Sequence, residues 1–227
     1  PLDDTNSRSA RMHEVLADAI TAGAPSITAR MWAYYSLTAP LNYFDFTVSR
    51  HRDGPADVLR DFQGTLLGDS YSGYESIVLD SAARIARAAC WAHARRKFEE
   101  LQTHHPLEAA QMLALVRMLY DVEDRARGLS PEDCRALRET EARPVLERIR
   151  EFLWSATYEQ LTPKSALRGA MNYVRNNWDE LQTFLRDGRC PIDNNDAEQL
   201  MRQIALGRKN WLFVGSLEGC VWAARLM

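Results

Sequence analysis

Asp3 near the start of the chain, Asp69 at the end of a short apolar run and Glu198 in a late polar stretch could share one kind of chemistry. Metal-dependent phosphoryl transfer needs acidic oxygens brought from separate elements to one point. Two Mg²⁺ ions about 3.5–4 Å apart then activate a nucleophile and stabilise the leaving oxygen. Magnesium is satisfied by one or two carboxylates plus water and phosphate oxygens, so three acids can serve two ions. The chain has 31 Asp and Glu residues, so a triple chosen on position alone carries little weight.

Glu198 also has an ordinary reading. With Asn195 as N-cap it falls at N3, where its side chain reaches back to the cap's own N–H. Acidic residues are favoured in a first turn by the helix dipole. Glu198 and Arg202 stand four apart, the spacing of an exposed pair worth roughly 0.2–0.5 kcal/mol. About two turns further on, Arg208 and Lys209 precede Trp211 and Phe213. Basic side chains there suit a phosphate backbone, and aromatic rings can stack on an unpaired base or belong to the core. Arg95, Arg96 and Lys97 read equally as a solvated helix face or a DNA contact. Cys90 and His93 have the spacing of two zinc ligands, but a structural site wants four and no second pair follows. A buried cysteine beside a hydrogen-bonded histidine explains them more simply.

The elements that must position these residues follow from periodicity. Residues 28–36 and 43–49 are rich in aromatic and β-branched types and predict a hairpin around a turn at 40–42. Gly54-Pro55 opens a short helix through Phe62. Residues 65–68 predict a strand ending at Asp69, 71–79 a helix and 85–91 a further strand. Residues 10–22 have helical spacing. Apolar intervals of three and four then predict helices over 93–101, 106–126, 131–154 and 164–185, the last ended by Gly188. Leu113, Val116, Tyr120 and Leu129 are expected in the core. The architecture expected is an α/β sheet interrupted by a helical insertion.

The chain's 227 residues allow one large domain or two small ones. Its composition, 46% hydrophobic and 26% charged, is that of an ordinary soluble globular protein. No apolar run approaches the roughly 18 residues of a membrane span, and no secretory leader is visible. Four scattered cysteines without a CxxC pair suit a reducing, cytoplasmic setting. A net charge of −3 argues against a free-standing DNA-binding domain. Local basic clusters still act through their own fields. A start at Pro1 and an end in a helix-like run fit a piece of a longer protein.

Several blocks together resemble one family, the IS66 group of insertion-sequence transposases. The blocks are Gly64 to Tyr74 around Asp69, Cys90-Trp91-Ala92-His93, Leu129-Ser130-Pro131-Glu132, Arg143-Pro144 and Pro163-Lys164-Ser165. To these add Asn172-Tyr173, Trp178, and Asp193-Asn194-Asn195 through Gly215-Ser216. The likeness covers essentially the whole chain, and its last block is the most specific. It implies a ribonuclease-H-like mixed sheet flanked by helices, with a large α-helical insertion before the final acidic helix. Residues 1–93 would form the first part of the core, 94–187 the insertion and 188–227 the part carrying the acidic helix.

The resemblance also implies a site. The family's acidic triad maps onto Asp3, Asp69 and Glu198, with Asp4 as the competitor for Asp3, binding Mg²⁺ or Mn²⁺. His93, Asn194 and Asn195 would support the site, and Arg95, Arg96, Arg208 and Lys209 would contact DNA. The implied partners are the element's ends and target DNA, with self-association and accessory proteins of the same element left open. Gln199 and Gln203 stand where the family usually has Arg and Pro, and Gly219-Cys220 replaces a glycine pair. Those departures bear on DNA contacts more than on metal chemistry. The alternative is a non-catalytic DNA-binding or assembly remnant of a mobile element.

Overall fold

The computed structural model describes residues 29–39, 41–48, 53–69 and 71–210, together with Ser216 and Gly219. The chain forms two compact units. One comprises Pro1–Phe62, Gly73–Asp80 and Asp196–Met227, and the other Gln63–Ser72 and Ser81–Asn195. Among the described residues no helix is long and apolar enough to cross a membrane.

In the first unit, β1 (Arg30–Tyr35) and β2 (Asn42–Thr47) form the expected antiparallel hairpin. Its register sets Tyr34 opposite Tyr43, with ring centroids 5.9 Å apart. Such aromatic cross-strand pairs stabilise a two-stranded ladder. Trp32 donates its indole N–H to Thr47 Oγ1 at 2.9 Å across the same ladder. Phe44 and Phe46 are buried, and α1 (Asp53–Val58) packs against β2. Nearly all of α2 (Ser72–Asp80) also belongs to this unit. The helical spacing over residues 10–22 lies outside the described residues.

In the second unit, β3 (Gly64–Gly68) and β4 (Ile85–Ala89) pair in parallel, from Gly64 opposite Ile85 to Gly68 opposite Ala89. Before β4, Ala82 (φ 49°) and Ala83 (φ 66°) adopt left-handed backbone. Ser81 braces that turn, its Oγ accepting the Ile85 N–H at 3.2 Å. β4 is shorter than its composition predicts, because α3 (Trp91–Glu99) begins at Trp91. There the Trp91 N–H leaves the ladder and donates to Ile192 O at 3.1 Å. The Trp91 indole is fully buried and donates to Leu181 O at 2.8 Å.

Every described element from Trp91 to Arg186 is helical. After α3 come α4 (Pro106–Ala126), α5 (Pro131–Leu137), a π-helical turn (Arg138–Ala142) and α6 (Arg143–Leu153). They are followed by α7 (Ala156–Gln160), α8 (Ala166–Asn176), α9 (Trp178–Leu181) and α10 (Thr183–Arg186). Met112, Val116 and Leu119 of α4, spaced by four and three, are fully buried against Phe98, Ile149 and Leu153. Each such side chain contributes about 1.5–3 kcal/mol by leaving water. Leu113 and Tyr120 pack partly buried against this core, but Leu129 is exposed, contrary to expectation. It follows Gly128, whose left-handed φ of 84° turns the chain away after α4.

Of the two expected long helices, that over 131–154 is helical through Leu153 but widens into a π-helical turn, and that over 164–185 is broken, each for a local reason. The run over 131–154 contains Pro144, which has no N–H to continue an α-helix and would crowd the carbonyl four residues back. The π-helical turn absorbs this and places Pro144 in the first turn of α6, where the missing N–H costs nothing. The run over 164–185 breaks where side-chain amides take the carbonyls a helix would use. Asn177 donates to Tyr173 O at 2.7 Å, and Gln182 donates to Trp178 O at 3.0 Å. Such local competition favours helix ends.

Gly188 serves for close approach rather than as a helix terminator. A Cβ at this position would lie 1.9 Å from the Pro131 carbonyl oxygen. Gly188→Ala is therefore expected to cost about 1–3 kcal/mol by overpacking. The measurement is a lower urea midpoint with unchanged m-value. A wild-type midpoint would mean that the 187–189 turn moves aside freely.

Candidate active site

Asp69 leaves the C-terminal end of β3, and Cys90 leaves the C-terminal end of β4. The register Gly68 opposite Ala89 brings them level. The carboxyl ends of parallel strands are where open α/β sheets gather their ligand groups. Asp69 is half-buried, and its Oδ1 accepts the Tyr71 N–H at 3.2 Å. Its own carbonyl accepts from the Arg87 guanidinium at 3.3 Å. The first bond orients the carboxylate, and the second anchors the main chain that carries it. Among the described residues, Oδ2 takes no hydrogen bond.

A second segment, residues 190–195, lies beside the end of β4 through the Trp91–Ile192 bond. Burial pushes the Cys90 thiol up, and backbone N–H groups of Asn194, His93 and Ala92 only partly oppose this. Burial likewise pushes the Cys190 thiol up to about 12. Both are neutral thiols near pH 7, poor as nucleophiles and as metal ligands. His93 is half-buried in the first turn of α3.

Asp193 is the hub of this segment. Its Oδ1 accepts the Asn195 N–H at 3.1 Å, and its Oδ2 accepts the Asn195 amide at 2.8 Å. That Oδ2 also accepts the Tyr120 hydroxyl at 2.7 Å. Burial, then donation to Asp193, pushes the Tyr120 hydroxyl well above its usual range. The Arg95 guanidinium sits 5.8 Å from the centroid of the Tyr120 ring. Asn194 Oδ1 is buried and meets no hydrogen-bond donor among the described residues.

Glu198 lies in the first turn of α11 (Asn195–Asn210), as expected, and is half-buried. The capping-box count is off by one. The helix already includes Asn195, whose side chain donates to Asp193, so Glu198 falls one step past N3. The helix start is made by an Asx-turn at Asp193 instead. Sequence reasoning missed both Asp193 and Tyr120. An Asp two residues before a helix start was a readable turn signal, whereas Tyr120 carried only a core period.

The other expected contacts divide. Arg95 is exposed and pairs with Glu99 at 3.2 Å, a surface pair of little energetic weight. Arg96 is exposed with no carboxylate partner among the described residues. Arg208 and Lys209 fall in the last turn of α11, and their side chains lie outside the described residues, as do Asp3 and Asp4. Among the described residues no three His, Cys, Asp or Glu side chains gather closely enough to hold a metal ion. The donors at the strand ends, the Asp69 carboxylate and the buried Asn194 Oδ1, are hard oxygens of the kind magnesium accepts.

Residues 13–221 match the family described as Transposase IS66 family. The chain is also similar to proteins of Sinorhizobium fredii (strain NBRC 101917 / NGR234). The uncharacterized protein y4hP is 32% identical over 222 residues, which cover 88% of this chain and 40% of that protein. The uncharacterized protein y4jD is 32% identical over 180 residues, covering 77% and 35%. The uncharacterized protein y4qI is 32% identical over 204 residues, covering 84% and 38%. The chain therefore spans well under half the length of these relatives. No solved structure matches it.

Proposed function

The chain belongs to the IS66 transposase family, and on that premise we propose that it carries the catalytic acids of a DNA transposase with a ribonuclease-H-like core. The family match over residues 13–221 carries this reading. The placement of Asp69 at the carboxyl end of a parallel strand, and of Glu198 in the first turn of a helix, supports it. In this reading the core is formed by residues 1–93 and 188–227, and 94–187 is the helical insertion.

Asp3 or Asp4, Asp69 and Glu198 would hold Mg²⁺ or Mn²⁺. When bound, such ions lower the barrier to attack at phosphorus and stabilise the leaving oxygen. The reaction is two displacements. A water oxygen attacks phosphorus at the element's end, the P–O3′ bond breaks and a 3′-hydroxyl is freed. That hydroxyl then attacks a phosphorus of target DNA, whose own O3′ departs. The Tyr71 N–H holds the Asp69 carboxylate in one orientation. Arg96, Arg208 and Lys209 would take phosphate oxygens, positioning the duplex without reading its sequence. Arg95 would do the same from its exposed helix face. His93 and Asn194 would orient a carboxylate or a phosphate from the end of β4.

The test is a strand-transfer assay with the full-length protein, element-end DNA and Mg²⁺ or Mn²⁺. The expected products are nicked ends bearing 3′-hydroxyls, followed by joined target DNA. The changes at Gln199 and Gln203 favour a second reading, a DNA-binding or assembly remnant. A protein that binds the ends and never cuts them would establish that reading instead.

A further inference from the structure

Glu198 stands in the first turn of α11, and that turn is tied down from a distance. Asp193 accepts both the backbone N–H and the side-chain amide of Asn195, the helix's first residue. A lone Asx-turn leaves its carboxylate free to rotate. Here the second oxygen also accepts the Tyr120 hydroxyl at 2.7 Å, from the middle of α4 and 73 residues away in sequence. Tyr120 is itself packed against the core, and α4 is the longest helix of that unit. The bond therefore joins a rigid, core-anchored helix to the start of the acidic one.

From this geometry we infer that Tyr120 and Asp193 are positioning residues, a latch that fixes the first turn of the Glu198 helix for the DNA-cutting reaction. The inference rests on the reading of Glu198 as a catalytic acid. Neither residue touches DNA or the reacting atoms; Tyr120 acts through Asp193, and Asp193 through Asn195. Without the hydroxyl, the Asp193 carboxylate keeps its local turn but loses its tie to α4. The first turn of α11 then samples more than one orientation, and the geometry within which a catalytic carboxylate must be held is lost.

Tyr120→Phe tests this in the full-length protein, because it removes one oxygen and keeps the packed ring. Hydrogen exchange of the Asn195 amide, which Asp193 Oδ1 holds, should quicken about tenfold, as the loss of one partly buried hydrogen bond to that carboxylate predicts. The cleavage rate constant at saturating DNA should fall about tenfold, with the DNA half-saturation concentration unchanged and any drop in melting temperature no larger than one hydrogen bond accounts for. A merely structural role would lower melting temperature and leave the rate constant alone. Unchanged exchange or an unchanged rate constant in Tyr120→Phe, with Glu198→Gln inactive, would overturn the latch by itself. Wild-type cleavage by Glu198→Gln would instead overturn the catalytic reading beneath it, and the latch's role in the reaction with it.

Discussion

In the full-length protein, Glu198→Gln and Asp69→Asn are each expected to lower DNA cleavage by about three orders of magnitude or more. Neither should lower the melting temperature or end-DNA affinity appreciably. Removing one carboxylate charge from a metal-binding acid forfeits several kcal/mol of transition-state stabilisation, and each 1.36 kcal/mol is tenfold in rate. Both changes conserve size, and the structure shows why both should spare the fold. At position 69 an asparagine oxygen can still accept the Tyr71 N–H, so the turn after β3 keeps its bond. At position 198 the helix start is made by Asp193, so no capping bond from Glu198 is required. A glutamine there also has nearly the helix propensity of glutamate. Cleavage by either variant within a few-fold of wild type would remove that residue from the catalytic set. Wild-type cleavage by Glu198→Gln alone would return Glu198 to an ordinary first-turn acid.

These expectations could be framed from the sequence because the relevant signals are local. A four-residue apolar run closed by Asp69 reads as a strand end, and the strand stops at Gly68. The three- and four-residue spacing of Met112, Val116 and Leu119 reads as a buried helix face, and all three are fully buried. What escaped were decisions made by single side chains. Periodicity continues straight through Asn177 and Gln182, yet their amides end two helices by taking main-chain carbonyls. Gly188 looks like any glycine after a helix, and only the facing Pro131 carbonyl reveals its use. The Tyr120–Asp193 bond spans 73 residues, and no motif in either segment points to the other. Sequence patterns record which face is buried. They carry little trace of a polar contact between distant segments.

The largest stability effect should come from such a contact. Arg138→Ala is expected to destabilise the chain by about 3–5 kcal/mol, the cost of stranding one partner of a buried ion pair. Arg138 is 3% exposed, in a region where charge is normally excluded. Its guanidinium meets Glu123 as a two-pronged fork, Nε to Oε1 at 2.8 Å and Nη2 to Oε2 at 2.6 Å. Nη1 donates to the Phe184 and Asp187 carbonyls at 2.7 and 3.2 Å, and the group sits 5.3 Å from the Phe184 ring centroid. One side chain thus joins α4, the π-helical turn, α10 and the chain leading to the 190–195 segment. Truncation leaves the Glu123 carboxylate without its counter-ion and takes a donor from the Phe184 carbonyl, while the Asp187 carbonyl keeps the Cys190 N–H at 2.9 Å. Lysine should recover only part of the loss, since a point charge cannot reproduce the fork. The double variant Glu123→Gln with Arg138→Met should be more stable than Arg138→Ala, because it removes both charges together. Urea unfolding of the three variants at one pH measures this ordering. A loss below about 1 kcal/mol for Arg138→Ala would mean that water reaches Glu123 once the arginine is gone, making the pair energetically a surface one.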